Sequence, residues 1–312
     1  MSDLQSIAAT EVPSGTAVKG TGGEKSRSLT QDALRDLRHN WIFWFASAIA
    51  LVVLLMAIAP SLFTPNDPAD CSLGRQYAPG SGWALFGYDF QGCDIYARTV
   101  YGARASIWVG VLSTALASAI GLTFGLSSGF FGGWLDAILS RITDIVLGIP
   151  LLLAAIVLGK RLAAGDTGGS SSGLLAVVVV LGILGWTTAA RVMRSSVISA
   201  KNQDYVAAAR MLGAGNFRIM FRHILPNAIA PFIVVLTIAL GQFIALEATL
   251  SFLGIGLKGN AISWGIDIST ASKHVRESAP PLVAPSMFLA MTVLAFIMLG
   301  DAIRDAFDPK LR

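Results

Sequence analysis

Long apolar runs separated by brief polar punctuation organise this chain. The runs neither alternate with period two nor confine their apolar residues to a 3.6-residue stripe. A run of about 18 or more apolar residues can cross a hydrocarbon core about 30 Å thick as a helix rising about 1.5 Å per residue. Such runs fall at 41–59, ended by Pro60, and at 105–131, closed by a Gly132-Gly133 turn. Others lie at 134–158, 173–192, 228–252 and 282–299. An open sheet edge cannot satisfy its backbone in lipid, so each run predicts a helix. The fold class is all-α: a membrane protein with six transmembrane helices.

The polar segments divide the rest. Residues 1–38, rich in Ser, Gly, Thr and charge, predict a disordered arm. The segment 39–60 holds the first transmembrane helix. The arm is too long for a cleavable leader and this run is long enough to span, so the run reads as a retained signal anchor. A polar loop follows over 61–104. The core, 105–304, carries five further helices and an elbow at 202–225, and the tail is 305–312.

Only 13% of the 312 residues are charged, against about 25% in soluble domains. The net charge of +4 matters less than where the cations sit. Lys19, Lys25, Arg27, Arg35 and Arg38 precede the first run. Arg191, Arg194, Lys201, Arg210, Arg218 and Arg222 lie between the fourth and fifth, against the acid Asp204. Arg304, Lys310 and Arg312 end the chain. With six spans these segments share one side, which the positive-inside rule makes cytoplasmic, with both termini. In the loop expected outside, Arg75, Arg98 and Arg104 are balanced by Asp67, Asp70, Asp89 and Asp94.

The most informative polar stretch runs from Asp204 to Pro226. Ala207, Ala208 and Ala209 favour helix, with an apolar face at Val206, Ala209 and Leu212; Arg210 follows, and Gly213 and Gly215 break it. A second short helix, 217–224, should end before Pro226, after Leu225. Two readings stay open: an elbow docking into a partner's groove, or an amphipathic helix on the inner leaflet. In the second run Ser113, Ala117, Gly121, Gly125, Gly129 and Gly133 recur every fourth residue, a small-residue stripe that lets helices pack backbone to backbone. Glu247, at membrane depth, should face a bundle interior or wet cavity; it is the translocation-path candidate, against a structural hydrogen bond to Thr249 or Ser251. Arg141 and Asp144 suit an i,i+3 pair. Pro150 should kink the third span. Cys71 and Cys93 share the first loop and can form a disulfide in an oxidising compartment or stay unpaired. No metal-ligand spacing is present.

Other chemistry drops out. Gly125-Leu126-Ser127-Ser128-Gly129 spells a hydrolase elbow but sits within a spanning helix, and none of His39, His223 and His274 is placed to serve Ser127. Arg161 occupies the Ser/Thr position that a phosphate-binding loop at Gly159-Lys160 needs. Transport therefore needs a partner or an ion gradient.

The spacing of Ala207-Ala208-Ala209, Gly213 and Leu225-Pro226 resembles the "EAA" motif of ABC importer permeases, with Ala207 at the Glu position and His223 at an Ile position. Further segments resemble the C-type permease of the peptide/nickel branch: Phe86 to Asp94 with Tyr101-Gly102-Ala103-Arg104, Glu247 to Gly254, Ser263-Trp264-Gly265, and Leu299 to Pro309. Cys93 stands where that branch usually has Arg. The resemblance covers about 41–312. It implies a transmembrane permease subunit, not an enzyme, of an ATP-driven importer for di- or oligopeptides. Asp204, Ala207, Ala208, Ala209, Arg210, Gly213, Leu225 and Pro226 would couple it to ATPases. Implied partners are a homologous permease, two cytoplasmic ATPase subunits or domains, and an external solute-binding protein; no cofactor binds this chain, and ATP and Mg belong to the partners. The alternative is a self-contained secondary transporter or channel.

Overall fold

A computed structural model describes residues 35–164, 170–257 and 261–307. Most of the arm 1–38, the junction 165–169 and the end of the tail 305–312 lie outside the described residues. Asn40 opens helix α1 (Trp41–Ile58), its side chain accepting from the Ile42 N–H at 2.9 Å. Asp94 opens α2 (Ile95–Phe131) by accepting from the Tyr96 and Ala97 N–H groups. The loop 61–104 thus ends at Asp94, because this capping carboxylate starts the helix well before the apolar run. Gly132 and Gly133, at φ of 68° and 58°, turn the chain into α3 (Gly133–Gly148).

The third run is broken rather than kinked. Ile149 is extended, as a residue before proline prefers, and α4 (Leu151–Ala164) leaves α3 at 86°. The fourth run divides into α5 (Ser170–Gly185) and α6 (Thr187–Lys201), bent by 40°. Gly185 lies against the Phe243 ring, where a Cβ would come within 2.4 Å.

After α7 (Asp204–Met211) the chain enters a continuous helix. Asn216–Arg218 leads through a π-helical segment, Ile219–Ile224, into α8 (Leu225–Phe252). The expected stop before Pro226 is not made. The Leu225 N–H donates to the Met220 carbonyl five residues back, and Pro226 falls in the first turn of α8, where its missing N–H costs little. Helix α9 (Trp264–Ser272) is capped by Ser263, and α10 (Pro280–Phe307) extends into the tail 305–312. Among the described residues, Trp41–Ile58, Ile95–Phe131, Asn216–Phe252 and Pro280–Phe307 are long and apolar enough to cross a membrane unbroken, and the two bent pairs bring the spans to at most six.

Helix α2 is the hub. Its stripe meets α6 so closely that a Cβ at Gly125 would lie 2.6 Å from the Ala190 carbonyl, and one at Gly129 would lie 2.9 Å from the Val197 Cβ. Lipid tails are as apolar as leucine, so this backbone approach, rather than hydrophobic transfer, holds the helices. The stripe stops there: Gly133 has nothing within 4 Å of a built Cβ, so it serves the turn and not the packing. On the far side of α2, Val53 and Met56 of α1 pack with Val100, Ile107 and Phe296.

Candidate functional site

The elbow is built by one capping motif. At the end of α7, Gly213 takes φ 79°; its N–H donates to the Arg210 carbonyl at 2.9 Å and the Ala214 N–H to the Ala209 carbonyl at 3.0 Å. This pair of bonds is the Schellman arrangement, and glycine suits its left-handed position. The chain reverses and re-enters helix at Asn216.

Two faces result. Val206 and Ala209 are buried with Ile219 and Ile224 against Leu126 and Phe130 of α2, Met193 and Val197 of α6, and Phe232 of α8. Met211 at 83% and Leu212 at 88% are exposed where α7 ends, and Phe217 and Phe221, their ring centroids 4.5 Å apart, are exposed where the chain re-enters helix. Leu212, expected on the packed face, is therefore on the exposed one, because the helix stops one residue before it. Asp204, Ala207, Ala208, Arg210, Gly213 and Pro226 are exposed, and Leu225 is half-buried. Exposed cations Arg210, Arg218 and Arg222 stand with the apolar tip. The Lys201 ammonium donates to the Phe130 carbonyl and lies over the Phe130 ring, fastening the start of the elbow to α2.

Ion pairs join α3 to α6 above the elbow. Arg194 holds both oxygens of Asp136 at 2.6 Å, and Arg191 meets Asp144 at 2.6 Å. Asp144 thus pairs across helices rather than with Arg141, since Arg191 reaches it from the facing helix. A cavity of about 420 Å³, lined by Ser128, Ser140, Thr143 and both arginines, sits between them.

The other end of the molecule is strapped. Cys71 and Cys93 form a disulfide with Cα atoms 4.1 Å apart. Asp89 accepts from the Gln91 and Cys93 N–H groups, at 2.8 and 2.9 Å, and shapes the turn between them. Arg98 of α2 binds Asp267 of α9 at 2.5 Å beside a cavity of about 470 Å³. Burial pushes the Asp267 carboxyl up, against the pull of Arg98. The Tyr77 hydroxyl donates to Glu277, which also meets His274 at 3.0 Å, and His274 stacks on Phe90. That bond pushes the Tyr77 hydroxyl up to about 12, and together with His274 it holds Glu277 below the usual carboxylate range.

Glu247 makes the structural hydrogen bond to Ser251 that stood as the alternative to a path-facing role. It is fully buried, accepts from Ser251 at 2.8 Å, and has the Ser106 and Ser263 hydroxyls beside it. Its carboxyl faces the interior of its own chain, with Ser251 one turn along the same helix and the Ser106 and Ser263 hydroxyls brought in from other segments.

Residues 121–312 match the profile of the family described as binding-protein-dependent transport system inner membrane component, and residues 28–79 match the N-terminal TM domain of oligopeptide transport permease C. Over 289 residues the chain is 37% identical to the oligopeptide transport system permease protein OppC of Bacillus subtilis, covering 93% of this chain and 92% of that one. It is 36% identical over 288 residues to the dipeptide transport system permease protein DppC of the same organism, covering 92% and 88%. Among solved structures, an inward-facing MetNI methionine ABC transporter aligns at TM-score 0.51 and 22% identity, over 67% of this chain and 96% of that one. An amino acid ABC transporter aligns at 0.50 and 20% identity, over 67% and 94%. These two likenesses concern the fold.

Proposed function

From the premise that the chain belongs to the binding-protein-dependent transport system inner membrane component family, we propose that it is the permease subunit of an ATP-driven importer of di- or oligopeptides. It forms the path with a homologous permease and couples to two ATPase subunits or domains through the elbow at 202–225. An external binding protein delivers the peptide. The peptide assignment rests on the relatives named for oligopeptide and dipeptide transport. ATP and Mg are handled by the ATPases, and the basic end, with both termini, lies in the cytosol.

One observation carries the coupling. The elbow has a buried face tied to the inner ends of α2, α6 and α8 and an exposed apolar tip at Met211, Leu212 and Phe217. A solvated loop has no reason to expose such residues together, whereas a partner's groove would cover them. Displacement of the tip is passed by packed side chains to three spanning helices at once. Peptide and nucleotide then shift access only through their different affinities for the outward-open and inward-open states.

Purification in detergent followed by identification of companions is the direct test. The reading expects a second permease and nucleotide-hydrolysing subunits, and peptide uptake into liposomes only with ATP inside the compartment that bears the elbow. Uptake by this chain alone under an ion gradient would favour a secondary transporter. Labelling of 202–225 from the external side would overturn the orientation.

A further inference from the structure

Helix α8 carries Gln242 about 15 Å from its Phe252 end, at about 1.5 Å per residue, which is mid-depth in a bilayer. Its amide is exposed on the surface of the chain and makes no hydrogen bond among the described residues. Thr188 of α6 is likewise exposed and unbonded through its side chain. Both line one cavity of about 470 Å³. The break at Ile149-Pro150 and the bend next to Gly185 open onto the same space.

Two independent arguments exclude lipid there. An unsatisfied amide in hydrocarbon costs several kcal/mol, roughly. Broken helix backbone leaves last-turn carbonyls without i+4 donors, and at membrane depth it persists only where it is buried in protein or lines a water-filled space. Both breaks and both polar side chains converge on one concavity whose volume suits a small ligand. The lining holds no charged residue.

Resting on the permease reading above, we propose that this cavity is the wall of the peptide path, with Gln242 and Thr188 meeting the backbone amides of the passing peptide. A glutamine amide both donates and accepts, as a peptide bond does. An uncharged wall treats lysine-bearing and glutamate-bearing peptides alike, whereas a carboxylate at this place would discriminate. This wall takes the place of Glu247, which is sealed inside the fold.

Cysteine labelling in the complete purified complex tests it. The chain's two cysteines are joined in the disulfide, so an introduced thiol is the one free thiol of this chain, and its labelling is read on this chain after the subunits are separated. Gln242→Cys and, separately, Thr188→Cys are exposed to a charged, membrane-impermeant methanethiosulfonate with and without a non-hydrolysable ATP analogue, and with trialanine delivered by the binding protein. Leu51→Cys on α1, exposed and apolar, is the control that stays unlabelled. The expected result is labelling of at least one wall thiol in one nucleotide state, slowed severalfold by trialanine. Labelling in no state, or labelling indifferent to peptide, would overturn the assignment. Should one variant fail to assemble, the other decides; failure of both to assemble assigns these residues to packing and also overturns it. Uptake by the wild-type complex separates the two readings. If it imports peptide while the wall thiols stay silent, only the wall falls; if it imports none, the permease reading falls first.

Discussion

Single residues decide how the elbow and the hub are held. Gly213 needs left-handed backbone, which costs an L-residue about 1–2 kcal/mol. Gly213→Ala should therefore loosen the cap, and Gly213→Pro should also remove the N–H that meets Arg210 and force the wrong φ. The expected outcome is ATP hydrolysis retained with peptide uptake reduced, more for proline than for alanine, measured as the uptake-to-hydrolysis ratio in proteoliposomes. A proportional loss of both would mean that the cap matters only to assembly. Gly125→Val should cost about 1–3 kcal/mol, because its Cβ would meet backbone at 2.6 Å, whereas Gly215→Ala, with open space and φ −70°, should be neutral within about 0.5 kcal/mol. The melting temperature of the detergent-solubilised complex distinguishes the two. The small-residue stripe and Gly213 were readable from spacing, because glycine every fourth residue and glycine after an alanine helix each have few physical uses. Glu247 was readable only in part: its Ser251 partner lies one turn along the same helix, but its other hydroxyl neighbours, Ser106 and Ser263, come from distant segments and nothing local says that they close over it.

At the scale of elements, apolar length predicted where spans lie but not where they stop. Run length measures the apolar stretch, while a helix ends where its caps and breakers are. Asp94 extends α2 beyond the apolar run, and Pro150 with its extended neighbour turns an expected kink into an 86° break. Pro226 misled in the other direction, since the π-helical turn before it absorbs the proline without ending the helix. The α3–α6 pairing was hidden because Asp144 and Arg191 lie far apart in sequence, and an i,i+3 partner was close at hand. Those pairs support a prediction. Asp136→Asn leaves the Arg194 guanidinium short of its bidentate partner and should lower stability by about 1 kcal/mol, a figure kept small because the pair is partly exposed. The exchange Asp136→Arg with Arg194→Asp should recover part of that loss. Equal melting temperatures for the wild type and Asp136→Asn would show that the tether contributes nothing.

Over the whole molecule, the two ends differ in how they are held. The basic end exposes an apolar tip at Met211 and Leu212, whereas the other end is tied down by a disulfide, the Arg98–Asp267 pair and the Tyr77–Glu277 bond. Closing a loop of this size with a disulfide contributes about 3 kcal/mol in the chain-entropy picture. Tyr77 donates from the strapped loop to Glu277, which lies beyond α9, so the bond tests whether loop and helix move as one body. Its pH dependence follows from two displaced groups that face His274 and Asp89. Glu277 is held below its ordinary value, so its contribution is full above the unfolded glutamate pKa and fades as pH falls through the lowered one. Tyr77 is raised, so its contribution is full below the unfolded tyrosine pKa and fades as pH rises through about 12. Between about pH 5 and 9 neither Glu277 nor Tyr77 changes charge, so the bond keeps its donor and its acceptor. Hydrogen exchange at the Tyr77 and Tyr88 amides, which bond the Asp89 and Ala78 carbonyls, reports the loop directly. Protection, corrected for intrinsic rates, should be flat across that window, fall severalfold in Tyr77→Phe, and fall in the wild type only at strongly acidic or alkaline pH. Unchanged protection in Tyr77→Phe would mean that the disulfide alone fixes the loop and that α9 is free to move against it.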